Sequence, residues 1–229
     1  MDRHVDEEME KFNTSLIKMA ALTEAAIHDS IEALKKSDKK LAQKVIDDDE
    51  VIDELDNTIE EHAILLLALF QPMAKDLRFI TTGMRINTDL ERIADLAVNI
   101  SQRVLILADL PLLKPLIDIP KLAENAKRMV KTAIDAFVQR NEKLAEDVLR
   151  WEKESDELRT LIMNELINDY MVKDGKTAPR AVALLLIARD LERISDHATN
   201  IAEDVIYMIN AKMVKHHLDQ LIFVYKKVE

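Results

Sequence analysis

Four carboxylate pairs recur at one spacing along this 229-residue chain: Asp49 with Asp53, Glu91 with Asp95, Glu152 with Asp156, and Glu192 with Asp196. Residues four apart lie on one face of an α-helix. Asn99 and Asn200 extend the faces begun by Glu91 and Glu192. Like charges a few ångströms apart repel by about 1 kcal/mol per pair in water, and by more when shielded from it. Such a set must spread into solvent, take up protons, pair with arginine or lysine, or bind a cation. Oxygen-only donors favour hard divalent or trivalent ions: magnesium, calcium, manganese or iron. Bridging carboxylates permit more than one ion per cluster. The Glu-x-x-His motif of ferritin-like di-iron sites is absent, so oxygen activation is not expected. No residue stands apart from the ligands as a general base, and no catalytic residue or organic cofactor is assigned.

Two of these pairs sit in a duplicated segment. Asp89-Leu90-Glu91-Arg92-Ile93-Ala94-Asp95-Leu96-Ala97-Val98-Asn99-Ile100 returns as Asp190 to Ile201, with nine of twelve positions identical and five of those nine polar or charged. Packing alone would preserve the apolar rhythm and let the charges drift. Leu41, Ala42, Val45 and Asp53-Glu54-Leu55 also return, at Leu144, Ala145, Val148 and Asp156-Glu157-Leu158. The chain therefore reads as two halves, 1–109 and 121–229, joined by a linker over 110–120 that holds Pro111, Pro115 and Pro120.

Each half needs three long helices to present its acids. Two glycines and five prolines in the whole chain argue against a sheet protein. The first half reads as helices over 7–36, from a cap at Ser37 or Asp38 to Phe70, and from after Gln71-Pro72-Met73 to Leu107. The second reads as helices over 119–139, from a cap at Asn141 to Val172, and over 179–210, with a short helix after Lys212. The expected fold is all-α: two antiparallel three-helix bundles in tandem, six long helices in all. Ile86, Leu90, Ile93, Ala97, Ile100, Val104 and Leu107 form a seam with alternating spacings of four and three, as do Ile187, Leu191, Ile194, Ala198, Ile201, Val205 and Met208.

Folding the first hairpin tests whether the acids converge. In an antiparallel pair, residues equidistant from the turn lie at one height. Asp53 and Glu91 are symmetric about position 72, and so are Asp49 and Asp95. Glu152 with Asp196, and Asp156 with Glu192, are symmetric about position 174. With Leu90 at heptad position a, Glu91 falls at b, Asp95 at f and Asn99 at c. The acids thus flank the seam, and the site is expected to be shallow, wet and unnecessary for folding. Against this stands a plainer reading, in which Arg92 and Arg193 neutralise their neighbours in surface ion pairs worth under about 1 kcal/mol. His197 is expected to hydrogen-bond locally, Trp151 to join the core, and Gly83 to permit close helix packing.

A formal net charge of −11 disfavours nucleic-acid binding. The absence of cysteine excludes thiolate metal sites. No apolar run approaches the roughly 20 residues needed to span a bilayer, and the charged N-terminus is no signal peptide, so a cytoplasmic protein reaching membranes only through partners is expected. With no glycine-rich phosphate loop or basic cluster, no dedicated pocket for free phosphate is expected.

Gln71-Pro72-x-Ala74-x-Asp76-Leu77-Arg78, followed by Leu90-Glu91-Arg92-Ile93-x-Asp95 and again by Leu191-Glu192-Arg193-Ile194-x-Asp196, resembles the PhoU family over almost the whole chain. The resemblance implies two pseudo-symmetric three-helix bundles. It also implies a non-enzymatic regulator of phosphate homeostasis that contacts a phosphate ABC transporter and a PhoR-type sensor kinase, and restrains the starvation response. Metal clusters at the four acid pairs are implied too, and with the amphipathic outer faces the resemblance points to a homodimer. Two features depart from the family pattern. Ala94 and Ser195 stand where many relatives have glycine, and the QPxAxDLR turn has no copy in the second half. A metal buffer and a metal-free structural adaptor are the competing readings.

Overall fold

The computed structural model describes residues 2–212. Six helices follow one another: α1 (Asp2–Lys36), α2 (Lys39–Phe70), α3 (Lys75–Leu107), α4 (Asp118–Gln139), α5 (Glu142–Glu165) and α6 (Ala178–Asn210). The first three pack together as one bundle and the last three as another. The helix expected after Lys212 lies outside the described residues.

Local chemistry sets the helix ends. The Asp38 carboxylate accepts from the backbone N–H of Lys40 and Leu41, and the Asn141 side chain does the same for Lys143 and Leu144. Each satisfies two of the donors that the first turn leaves unpaired. Pro179 sits in the first turn of α6, and Pro120 in that of α4, where a missing N–H costs no helical bond. The linker expected over 110–120 therefore ends earlier, because its third proline starts a helix. The expected helix to Val172 also ends differently. α5 stops at Glu165, and Leu166–Met171 widen into a π-helical turn before a 3-10 turn over Gly175–Thr177.

Both seams are buried as their spacing requires. Ile86, Leu90, Ile93, Ala97, Ile100 and Val104, and their counterparts Ile187, Leu191, Ile194, Ala198, Ile201 and Val205, are all 0% exposed. Each of the valine, leucine and isoleucine side chains contributes about 1.5–3 kcal/mol of apolar burial, before the entropy of ordering it is subtracted. The core does not stop at the boundary between the halves. α3 packs along α6 and α1 along α4, so one hydrophobic cluster runs through both bundles. Phe12 of α1 meets Phe79 of α3 edge-on at 6.3 Å, and Phe79 stacks on Phe137 of α4 at 4.9 Å.

α3 and α6 run antiparallel, and charged groups cross between them. Arg85 pairs with Asp204 at 2.9 Å, Asp89 with His197 Nδ1 at 2.7 Å, and Arg103 with the buried Asp190. Asp89 and Asp190 are the same position of the duplicated segment. Its first acid therefore belongs to the joint between the bundles.

Candidate functional site

α2 and α3 carry the first acid set, α5 and α6 the second. None of the ten expected ligands is buried: Asp49, Glu91, Asp95, Asn99, Glu152 and Glu192 are half-buried, while Asp53, Asp156, Asp196 and Asn200 are exposed. This matches their position beside the seam. Ala94 and Ser195 are buried instead, at 1% and 0% exposure, and Ser195 Oγ meets Ser155 Oγ at 2.8 Å between the two acid-bearing helices of the second half.

In the first half the carboxylates feel one another. Burial, then Asp53 and Asp95, push the Asp49 carboxyl up to about 6. Burial, then Asp95, with Asp56 and Asp53 adding, raises Glu91 against the lowering effect of Arg92. Such coupling requires Asp53 and Glu91 to share one side of the hairpin, as the symmetry about position 72 predicts. Arg92 lies at 3.3 Å from both Glu91 and Asp95, so the plainer ion-pair reading holds for that residue. Asp49 and Asp53 make no direct ion pair among the described residues.

In the second half burial leads again. It raises Glu192, with Asp196 and Asp156 adding, and it raises Asp196, with Asp156 adding. Arg159 approaches Glu192 to 3.6 Å. Asn200 departs from expectation. Its amide donates to Asp89 at 3.4 Å, beside His197, so it serves the α3–α6 joint. His197 hydrogen-bonds across that joint, to Asp89 on α3, and not locally as expected.

Sequence reading missed a flank of the first site. Asp56, Glu60, Asn87, Thr88, Glu91 and Arg92 line a cavity of about 200 Å³ on α2 and α3. The Asn87 amide nitrogen donates to the Asp56 carboxylate at 2.6 Å, and its side-chain oxygen is buried with no hydrogen-bond partner among the described residues. Asp56 lies three residues from Asp53, on the next turn, and that spacing was a legible signal. The second half has no equivalent: Arg159, Met163 and Ala188 occupy the matching positions. Among the described residues, no three acids or histidines already surround one point closely enough to hold an ion in common.

Half-buried acids on neighbouring helices, duplicated on a two-bundle frame, can now be set beside known proteins. The model of the PhoU domain matches twice, over residues 16–104 and 119–205. The chain belongs to the PhoU family. It is 36% identical over 222 residues to the phosphate-specific transport system accessory protein PhoU homolog 2 of Thermotoga maritima, covering 97% of this chain and 94% of that protein. It is 40% identical over 209 residues to the PhoU homolog of Aquifex aeolicus, covering 91% and 94%. The crystal structure of PhoU from Pseudomonas aeruginosa superposes with a TM-score of 0.87 at 33% identity, covering 90% of this chain and 99% of that one. Two PhoU domains thus account for the repeated acids, and their limits fall on either side of the proline linker. The QPxAxDLR segment gains a structural role within this PhoU chain. Gln71 caps α2 in the left-handed conformation, Ala74 is held at φ 48° and ψ −102°, and Arg78 Nε donates to the Met208 carbonyl at 3.0 Å. The segment ties the first hairpin to the end of α6.

Proposed function

We propose that the protein regulates phosphate uptake and phosphate-starvation signalling without catalysing a reaction. It acts from the cytoplasm, as a homodimer, by contacting a phosphate ABC transporter and a PhoR-type sensor kinase. The observation that carries this reading is the pair of PhoU domains, which spans nearly the whole chain; relatives that align along its length are named as phosphate transport accessory proteins. Among the described residues no helix is long and apolar enough to cross a membrane, which agrees with attachment through partners.

The donor chemistry of the first half fits a hard cation. Asp49, Asp53, Glu91 and Asp95 supply carboxylate oxygens and Asn99 an amide oxygen, Asp49 and Glu91 carry a standing electrostatic penalty, and the buried Asn87 oxygen has no hydrogen-bond partner among the described residues. A divalent or trivalent ion relieves that penalty once the side chains rotate inward. Glu152, Asp156, Glu192 and Asp196 form the second set, which has an arginine of its own, Arg159 at 3.6 Å from Glu192.

Elemental analysis of the purified protein, paired with pulldown from membranes with and without the transporter, tests both parts. Glu91→Ala with Asp95→Ala is expected to lose metal from the first half while circular dichroism stays unchanged. A metal-free protein that still captures the transporter would remove the metal and keep the regulator. A metal-loaded protein that captures neither transporter nor kinase would favour a metal buffer.

A further inference from the structure

The end of the molecule where α3 begins and α6 ends holds a cavity of about 140 Å³ lined by Lys75, Arg78, Phe79, Arg140, Met208 and Ile209. Three cations converge there in a chain whose net charge is −11. None of the three makes an ion pair among the described residues. We infer that this cavity binds a phosphate-class oxyanion between the guanidinium groups of Arg78 and Arg140 and the ammonium of Lys75.

Two of the three groups are held in place beforehand. Arg78 donates through Nε to the Met208 carbonyl, which fixes the plane of its guanidinium; no hydrogen bond engages its Nη atoms among the described residues. Arg140 lies over the Phe79 ring at 5.2 Å, a cation–π contact, and its backbone is locked in the left-handed region at φ 50° as the end of α4. Planar, oriented guanidinium forks match the oxygens of phosphate. Lys75 adds a mobile charge at the first residue of α3, where unpaired backbone N–H groups also favour an anion. No carboxylate lines the cavity, and Glu142, two residues beyond Arg140, is engaged by Asn210 at 2.6 Å.

Charge and size both fit. Glu91 stands sixteen residues further along α3 than Lys75, roughly 24 Å at helical rise. That is about three Debye lengths at physiological salt, so the acid faces do not cancel the local field. The cavity is smaller than the roughly 300–1,000 Å³ of sites that take drug-sized ligands, which favours a small ion or the phosphoryl end of a larger molecule. Arg78 and Lys75 come from the first half, Arg140 from the second, so the bound anion bridges the two bundles. Lys75 and Arg78 are three positions apart but Arg140 comes from the other half, which is why no basic cluster showed in the chain.

The test is calorimetric titration of the full chain with orthophosphate, in chelator to keep metal-bound phosphate out of the signal, and at constant ionic strength in chloride. Saturable binding is expected, weakened at least tenfold in Arg140→Asn with Lys75→Gln. Asparagine tolerates the left-handed backbone, and Lys75→Gln alone serves if the double variant does not fold. Lys173→Gln, at the opposite end, is expected to bind like the parent. A parallel titration with glycerol 3-phosphate assigns the site to the free ion if only orthophosphate binds, and to phosphoryl groups generally if both do. No saturable uptake of either, equal affinity in the pocket variants, or equal loss in Lys173→Gln overturns the proposal.

Discussion

Asp49 is the residue where charge and stability conflict most openly. Its carboxyl titrates near 6 in the folded state, against an ordinary 3.8. The folded protein thus keeps a proton that the unfolded chain releases across that interval. Stability from this group is fully present below about pH 4 and is lost as pH rises through about 6. The metal-free protein is therefore expected to melt at a lower temperature at pH 7.5 than at pH 5.5, to the extent that Asp49 dominates. Asp49→Asn should raise the melting temperature at pH 7.5 and flatten this dependence. Added manganese should stabilise the parent more than the variant. Parent and variant with equal pH profiles would show that Asp49 is well solvated. The acid pairs themselves were legible from four-residue spacing and hairpin symmetry. Asp56 was within reach of the same spacing rule, but the contributions of Asn87 and Arg159 were not, because they depend on which of several polar neighbours a helix face turns inward.

At the level of helices, the sequence placed every long element, because caps and prolines punctuate strongly periodic segments. It could not place the π-helical turn at Leu166–Met171, which depends on how α5 meets α6. Nor could it say what Gly83 packs against. A Cβ at Gly83 would stand 2.5 Å from the ring of Phe12 and 2.9 Å from Leu16, and both residues are fully enclosed. Gly83→Ala should gain about 1 kcal/mol of helix propensity yet lose about 1–3 kcal/mol to overpacking, for a net drop in the denaturation midpoint. An unchanged midpoint would mean that α1 and α3 can separate without cost. The turn between α2 and α3 carries the opposite error. Ala74 at φ 48° and ψ −102° has no side-chain cap to offset its strain, which costs about 1–3 kcal/mol. Ala74→Gly should raise stability by about 1 kcal/mol in urea unfolding, and a loss would show that the Ala74 methyl group packs usefully.

Across the whole molecule the two halves are one unit of packing. The seam on each third helix was readable, but the joint between bundles was hidden in polar positions that looked like surface: Asp89, Arg103, Asp190 and His197. Breaking that joint is expected to unfold both halves together. Arg103→Met strands the buried Asp190 carboxylate and should cost about 3–5 kcal/mol, with much of the loss recovered when Asp190→Leu is added. Two separate unfolding transitions in calorimetry would show instead that the bundles are independent. Because α3 and α6 run in opposite directions, the PhoU repeats are laid head to tail. The acid faces become two related flanks that share their four-carboxylate pattern, while the Gln71–Arg78 turn marks one pole and the proline linker the other. A protein that grips a flank can therefore be accommodated twice, whereas one that reads a pole meets a single address and docks once per chain, in one orientation.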